Sequence, residues 1–223
     1  MNKTIDRLEK DLEQIKNEIS QLVTYNYVYD QTLSIVTKNK ELPKANPFYG
    51  FISYSYAYSA AVTIRKLADN VKDPKKTISF WDFLQELCTG HRLFSRAWYL
   101  SYKETATHPI VIENRHHHLN RLFDKFAPNG SLFIDVMLIK RDLAEIKRIS
   151  QKLIIFVDQA IAHIDRNKPV APLYIEIDES ISCLQKLCLK YLELFKIGSY
   201  KSLLHPVLEF DEWKNVFYIP WVK

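Results

Sequence analysis

A long amphipathic pattern runs through residues 132–166, LFIDVMLIKRDLAEIKRISQKLIIFVDQAIAHIDR. Its apolar residues recur at steps of three, four or seven, which places them along one face of an α-helix. The stripe consists of Ile139, Leu143, Ile146, Leu153, Val157, Ala160 and Ile164. Lys168 and Pro169 follow and predict that the helix ends near Arg166. The stretch therefore predicts one long helix that packs through a single face.

The first 40 residues carry a second pattern of this kind. Six apolar residues alternate three and four apart between charged ones: Ile5, Leu8, Leu12, Ile15, Ile19 and Leu22. This seam is either the packing face of an ordinary bundle helix, which its early end near Tyr25 favours, or a coiled coil that forms a dimer. We therefore divide the chain into an N-terminal amphipathic helix for packing or dimerisation (1–40) and a helical bundle with an aromatic C-terminal tail (41–223).

A further helix is predicted over residues 48–71, and it is apolar on two sides. One row contains Ile52, Tyr56, Ala60, Ile64 and Leu67, and the other contains Tyr54, Tyr58, Ala61 and Arg65. A helix with two apolar sides is expected to lie centrally in its bundle, where the charge of Arg65 needs a partner.

The remaining segments complete an all-α fold. Ser79 and Asp82 resemble a capping box that opens another helix. Residues 173–196 carry one more helical stripe, and the aromatic tail 209–223 is expected to fold back onto the bundle. Convincing strand-like alternation and internal repeats are not found in the sequence. The predicted fold is therefore a helical bundle of four to six helices with a long N-terminal helix.

Composition narrows the functional classes. The 223 residues include only four glycines, and neither a dinucleotide-binding nor a P-loop glycine motif occurs. The net charge of +5 permits contact with a polyanion without requiring it. The three cysteines form no CxxC pair and are interpreted as free thiols of a reducing compartment. Because neither a signal peptide nor a membrane-length apolar run is found, we expect a cytoplasmic protein without membrane contact.

The end of the long helix carries the candidate chemistry, His163, Asp165 and Arg166. One interpretation is structural: His163 caps the helix, and Asp165 and Arg166 form a surface pair. The other is a site for phosphodiester cleavage, with His163 as general acid/base and Arg65 or Arg166 holding the scissile phosphate.

Residues 89–130 are basic and rich in aromatics. Arg92, Arg96, Arg115 and Arg121, with Trp98, Tyr99 and Tyr102 among them, are candidates for gripping single-stranded nucleic acid. Aromatics at helical spacing are nevertheless more typical of a core. Glu113 and the run His116–His118 suggest a metal, but consecutive histidines point in different directions and no metal-binding framework accompanies them. We therefore predict no metal and no cofactor.

Several of these segments together resemble the HEPN superfamily of all-α bundles, in particular its AbiU-like branch, named after a phage abortive-infection protein. The resemblance is carried by AAVTIRKLAD (60–69), KTISFWDFLQEL (76–87), AIAHIDRN (160–167), APLYIEIDESISCLQKL (171–187) and EWKNVFYIPWV (212–222). These segments span most of residues 48–223.

The resemblance implies an often dimeric bundle in a superfamily rich in metal-independent RNases of phage-defence and toxin–antitoxin systems. Active members carry an Arg, then four to six residues, then a His on one helix, which meets its symmetry mate in a dimer. The His maps onto His163, but Asp158 stands five residues earlier, where an Arg would be expected. Either Arg65 or Arg166 replaces that Arg from another direction, or the bundle is non-catalytic, so the sequence leaves open whether this is an enzyme.

Two functions follow from these observations. The first is an RNA-directed effector of phage defence or toxin type that cleaves RNA with His163. The alternative is a non-catalytic helical module that binds RNA or a protein. The expected partners are RNA, an antitoxin or other partner protein, and a second copy of the chain.

Overall fold

The computed structural model describes residues 3–39, 47–70, 77–101, 109–161, 171–195, 201–205 and 212–218. These ranges contain seven α-helices: α1 (Lys3–Lys38), α2 (Pro47–Ala68), α3 (Phe80–Thr89), α4 (Arg96–Ser101), α5 (Pro109–Phe123), α6 (Val136–Phe156) and α7 (Tyr174–Phe195). Short 3₁₀ turns lie at His91–Leu93, Pro128–Gly130 and Glu212–Tyr218, and a π turn lies at Val157–Ile161. Within these ranges the only β-pairing is an isolated bridge between Ser95 and Phe133. The predicted all-α bundle with a long N-terminal helix is confirmed.

The core lies between the four longest helices. α1 packs along α7, α2 along α6, and α6 along α7, while α3 closes one side against α6. Five helices each contribute a fully buried residue: Ile19, Ile64, Leu84, Ile146 and Leu184 are all 0% exposed. Each such side chain stabilises the fold by about 1.5–3 kcal/mol relative to exposure. The bundle is therefore held by one continuous core to which α1 belongs.

The N-terminal seam is part of that core. Ile5, the most exposed of its six residues, is only 3% accessible, and Ile19 is fully buried. A coiled-coil dimer through the seam would have to expose the α7 side chains that it covers. The burial of the seam within one chain therefore supports the packing interpretation. α1 also continues well past Tyr25, to Lys38.

The two rows of α2 differ in burial. Ile64 and Leu67 of the first row face the core, at 0% and 2% exposure. Tyr54 and Tyr58 of the second row are 66% and 44% exposed. Ala61 of the same row is 0% exposed, so this side of α2 is covered near Ala61 and open to solvent at Tyr54 and Tyr58.

Helix ends follow local chemistry. The Ser79 hydroxyl caps α3 by accepting from the Asp82 backbone N–H at 3.0 Å, which confirms the predicted cap. The Asp135 carboxylate accepts from the Met137 N–H at 2.8 Å, so α6 begins at Val136 rather than at residue 132. At its other end α6 passes into the π turn, whose wider hydrogen bonding breaks the 3.6-residue register. Ala160, predicted in the buried stripe, is consequently exposed.

The described part of the C-terminal tail lies against α1, as predicted. The Lys214 ammonium donates to Gln31 Oε1 at 2.9 Å. The ring of Trp213 meets that of Tyr27 edge-on, with 6.4 Å between the centroids.

Candidate functional site

Arg65 joins the last turn of α2 to the π turn that follows α6. Its Nε donates to Asp158 Oδ1 at 2.7 Å, and its Nη1 donates to Asp69 Oδ2 at 3.3 Å. The charge of Arg65 thus has the partners that its position required. The first bond links residues 93 positions apart in the sequence, so it is a product of tertiary packing. The Arg65–Asp158 pair is the contact on which we base the candidate site.

The pair is open to solvent. The Arg65 side chain is 36% exposed and that of Asp158 is 46% exposed. A guanidinium carries five N–H donors, and the bonds to Asp158 and Asp69 use two of them. Three donors are therefore left without a partner in the described part of the chain. A half-exposed guanidinium with open donors, held in place by two carboxylates, can bind an incoming phosphate oxygen.

The backbone at Asp158 is unusual. Val157–Ile161 forms a π turn directly after twenty-one residues of regular α-helix. π turns are rare and are frequently found at functional sites. Phe156 and Val157 are both 5% exposed, which anchors the start of the turn, while Asp158 reaches out to α2.

The five residues that the sequence analysis connects with the candidate chemistry divide into two groups. Arg65 and Asp158 are described, and they are in direct contact. His163, Asp165 and Arg166 lie outside the described residues, and their roles stay predictions. Ile161, the last described residue of the turn, precedes His163 by two positions.

Asp69 is the site residue that the sequence reasoning missed. It lies four residues after Arg65, a spacing at which opposite charges meet on a helix. This signal was available in the sequence. Asp69 also borders two surface clefts, a first one that it shares with Arg65, Lys66 and Glu18 and a second one between α2, α3 and α6.

Arg96, predicted to bind nucleic acid, is engaged inside the protein. Its Nη2 donates to Asp124 Oδ1 at 2.6 Å, and its Nη1 donates to Asn120 Oδ1 at 3.0 Å. Its guanidinium also lies 5.0 Å from the centroid of the Phe123 ring. The Arg96 side chain is only 17% exposed. It is therefore better suited to joining α4 to α5 than to the predicted contact with nucleic acid.

The aromatics of this region belong to the core. Tyr99 is 1% exposed, and its hydroxyl donates to the Glu193 carbonyl at 3.0 Å. Trp98 is partly buried and meets Phe94 edge-on, 5.1 Å between centroids. Tyr99 cannot stack on bases from this position, and the third aromatic, Tyr102, lies outside the described residues. Arg92 and Arg121 are exposed and Arg115 is partly buried, and their predicted contacts with nucleic acid remain predictions.

The histidine run of α5 and the three cysteines are the remaining candidate groups for metal binding or nucleophilic chemistry. Glu113, His116 and His117 border an open cleft on α5. Among the described residues, no three His, Cys, Asp or Glu side chains are grouped to hold a metal ion. Burial raises the pKa of Cys183 to about 11 and that of Cys188 to about 12, so neither provides a thiolate at neutral pH.

Burial also raises the pKa of Cys88. His91 Nδ1 donates to the Cys88 backbone carbonyl at 3.1 Å, so this ring nitrogen does not activate the thiol. The two residues do not form a nucleophile and its base.

Comparison of the chain with protein-family models, curated proteins and solved structures finds no match. No helix within the described ranges is both long and apolar enough to cross a membrane.

Proposed function

We propose that this protein is an RNA-directed effector of phage-defence or toxin type, similar to the AbiU-like branch of the HEPN superfamily, and that it cleaves RNA without a metal. The observation that carries the proposal is the 2.7 Å bond from Arg65 to Asp158. Asp158 occupies the position, five residues before His163, at which active members carry their arginine. From α2, across the bundle, Arg65 contacts Asp158, and this contact supports the proposal that Arg65 replaces that arginine.

The chemistry assigns a role to each residue. His163 takes the proton of a ribose 2′-hydroxyl, whose oxygen attacks the adjacent phosphorus. The bond from phosphorus to the 5′ oxygen breaks, and this oxygen receives a proton from the His163 of a second copy. The products are a 2′,3′-cyclic phosphate and a 5′-hydroxyl end.

The negative charge that develops on the phosphate needs a fixed cation. Arg65 offers its open donors, and Asp158 and Asp69 orient its guanidinium. Arg166 is the second candidate for this task, with Asp165 as its neighbouring carboxylate. Because two carboxylates flank Arg65 and offset part of its charge, the phosphate binds best when Arg166 adds its own.

A homodimer is part of the proposal. It is supported by four exposed apolar side chains on the outer side of α2, which we call the outer row of α2. Phe51, Tyr54, Tyr58 and Val62 are all at least 42% exposed and follow one another at steps of three or four. Arg65 continues this row by one step. Together these side chains offer on the order of 400–500 Å² of apolar surface, a patch as large as any on a typical monomer. A second copy seated on this row would lie beside Arg65.

The alternative is a non-catalytic binding module. The described residues favour its protein-binding form, because Tyr99 is not available to bases and Arg96 is engaged internally. An antitoxin or another partner protein would then occupy the outer row of α2.

The test is incubation of wild-type and His163→Ala protein with labelled transfer and messenger RNA in EDTA. Cleavage by the wild type alone, with cyclic phosphate ends, is the expected result. Intact RNA with a folded wild-type protein would reject the RNase and leave the binding module.

A further inference from the structure

The exposed side of α6 is strongly basic. Nine of its residues are exposed, and five of these carry a positive charge while none carries a negative one. The five are Lys140, Arg141, Lys147, Arg148 and Lys152. At 100° per residue they fall within a single arc of the helix surface. We refer to these five residues as the α6 basic face.

Most of this charge is not compensated. The acidic residues of α6, Asp142 and Glu145, are partly buried, and each pairs with a cation: Lys190 at 2.5 Å and Arg148 at 2.7 Å. Lys152 pairs with Glu176 of α7. Lys140, Arg141 and Lys147 have no ion-pair partner in the described part of the chain. Three unpaired cations along two helical turns are suited to successive phosphates of a nucleic acid backbone.

The α6 basic face leads to the Arg65–Asp158 pair. α6 runs from Lys140 towards the π turn, so that Asp158 lies about 27 Å further along the axis at 1.5 Å per residue. Between them is the second cleft, of about 390 Å³, bordered by Lys147 and Gln151 of α6, Trp81 of α3 and Asn70. Asp69, which holds Arg65, also borders this cleft. Lys147 of the α6 basic face and Asp69, the partner of Arg65, therefore border the same cleft.

The cleft indicates the form of the nucleic acid. Asn70 and Gln151, which border the cleft, are exposed, and their side-chain amides can donate to and accept from base edges. These groups reach bases only where the bases are unpaired. A single strand can therefore place phosphates on the α6 basic face and one base in the cleft.

We infer that the α6 basic face binds the backbone of a single-stranded RNA and directs it to Arg65. This inference rests on the proposed function, because the RNA that the α6 basic face binds is the proposed substrate. It assigns RNA binding to residues outside the segment 89–130.

Binding is measured with full-length protein carrying His163→Ala, so that a short labelled single-stranded RNA stays intact. One variant adds Lys140→Ala, Arg141→Ala and Lys147→Ala. The matched control replaces Lys3, Lys10 and Lys38, three exposed lysines of α1, with alanine and removes the same charge. Alanine is the best helix former and all six positions are exposed, so both variants are expected to fold.

The α6 variant should bind at least about tenfold more weakly at low salt, and its slope of log affinity against log salt should be shallower by about 2, at 0.7 per phosphate. The α1 control should bind like the parent. Equal losses in both variants, unchanged binding by the α6 variant, or no RNA binding by the parent would overturn the inference. If the α6 basic face binds an acidic protein instead, either the α6 variant would bind RNA like the parent or the parent would not bind RNA.

Failure of the proposed function is recognised separately. Cleavage by the wild type together with unchanged binding by the α6 variant would reject the inference alone. Binding that depends on the α6 basic face, without cleavage by the wild type, would reject the proposed function alone.

Discussion

Replacing Arg65 with alanine should separate activity from stability. The substitution removes two ion pairs whose side chains are between 36% and 46% exposed. Exposed pairs are each worth about 0.2–1 kcal/mol, so the free energy of unfolding should fall by less than about 2 kcal/mol. For a chain of this size the melting temperature then drops by no more than about 8 °C. Loss of the group that stabilises the transition-state charge should lower RNA cleavage by about 10²–10³-fold.

Arg7 provides a closely matched control. Like Arg65, it pairs with a carboxylate on another helix, Glu86 of α3, and with one four residues later, Asp11. Its side chain is 50% exposed. Arg7→Ala should therefore cost a similar amount of stability and leave cleavage unchanged. Arg65→Lys, which keeps the charge but not the planar fork, should lie between the wild type and Arg65→Ala.

The assay combines thermal unfolding followed by circular dichroism with initial rates of RNA cleavage in EDTA. The reasoning is refuted if folded Arg65→Ala protein cleaves RNA at the wild-type rate. It is also refuted if Arg7→Ala loses as much activity as Arg65→Ala, because the effect would then come from loosening of the bundle.

Three further predictions concern packing, assembly and thiol reactivity. Ile19→Ala should reduce the free energy of unfolding by about 2–5 kcal/mol, measured by urea denaturation, without changing the mass in solution, since Ile19 is fully buried within the chain. Tyr58→Glu should reduce the mass measured by light scattering from dimer to monomer, whereas Met137→Glu, at a 57% exposed apolar side chain of α6, should not; identical masses for both would contradict the outer row of α2 as the interface. Cys188, whose pKa burial raises to about 12, should resist iodoacetamide at pH 8 in the native protein and react once urea unfolds it; rapid native labelling, located by mass spectrometry, would contradict its burial.

Five of the seven described helices follow from local chemistry and could be read from the sequence, whereas α4 and α5 lie in the segment 89–130, where no helix was predicted. Periodic apolar residues define α1, α2, α6 and α7, and Ser79 marks the start of α3 through a bond to a residue three positions away. These signals depend only on residues that are close in the sequence. They can therefore be recognised without the tertiary structure. The packing of α1 could not be decided in this way, since the same seam suits a partner helix in the same chain or in another chain.

The α6 basic face shows a different limit of sequence reasoning. Its lysines and arginines are visible in the sequence, but a charged side of an amphipathic helix is usually a solvated surface. Only the folded chain shows that the acidic residues of α6 are paired, and that Lys147 shares a cleft with Trp81 and with Asp69, the partner of Arg65. Conversely, Arg96 has the same charge but is held by partners on α5 and the turn that follows it.

By itself, then, the sequence determined that this protein is a helical bundle, because periodicity and composition are local properties. The tertiary structure alone decided that Arg65 meets Asp158, 93 residues away. That contact depends on the packing of α2 against α6 and on a π turn that breaks the helical register, neither of which a pattern of neighbouring residues specifies.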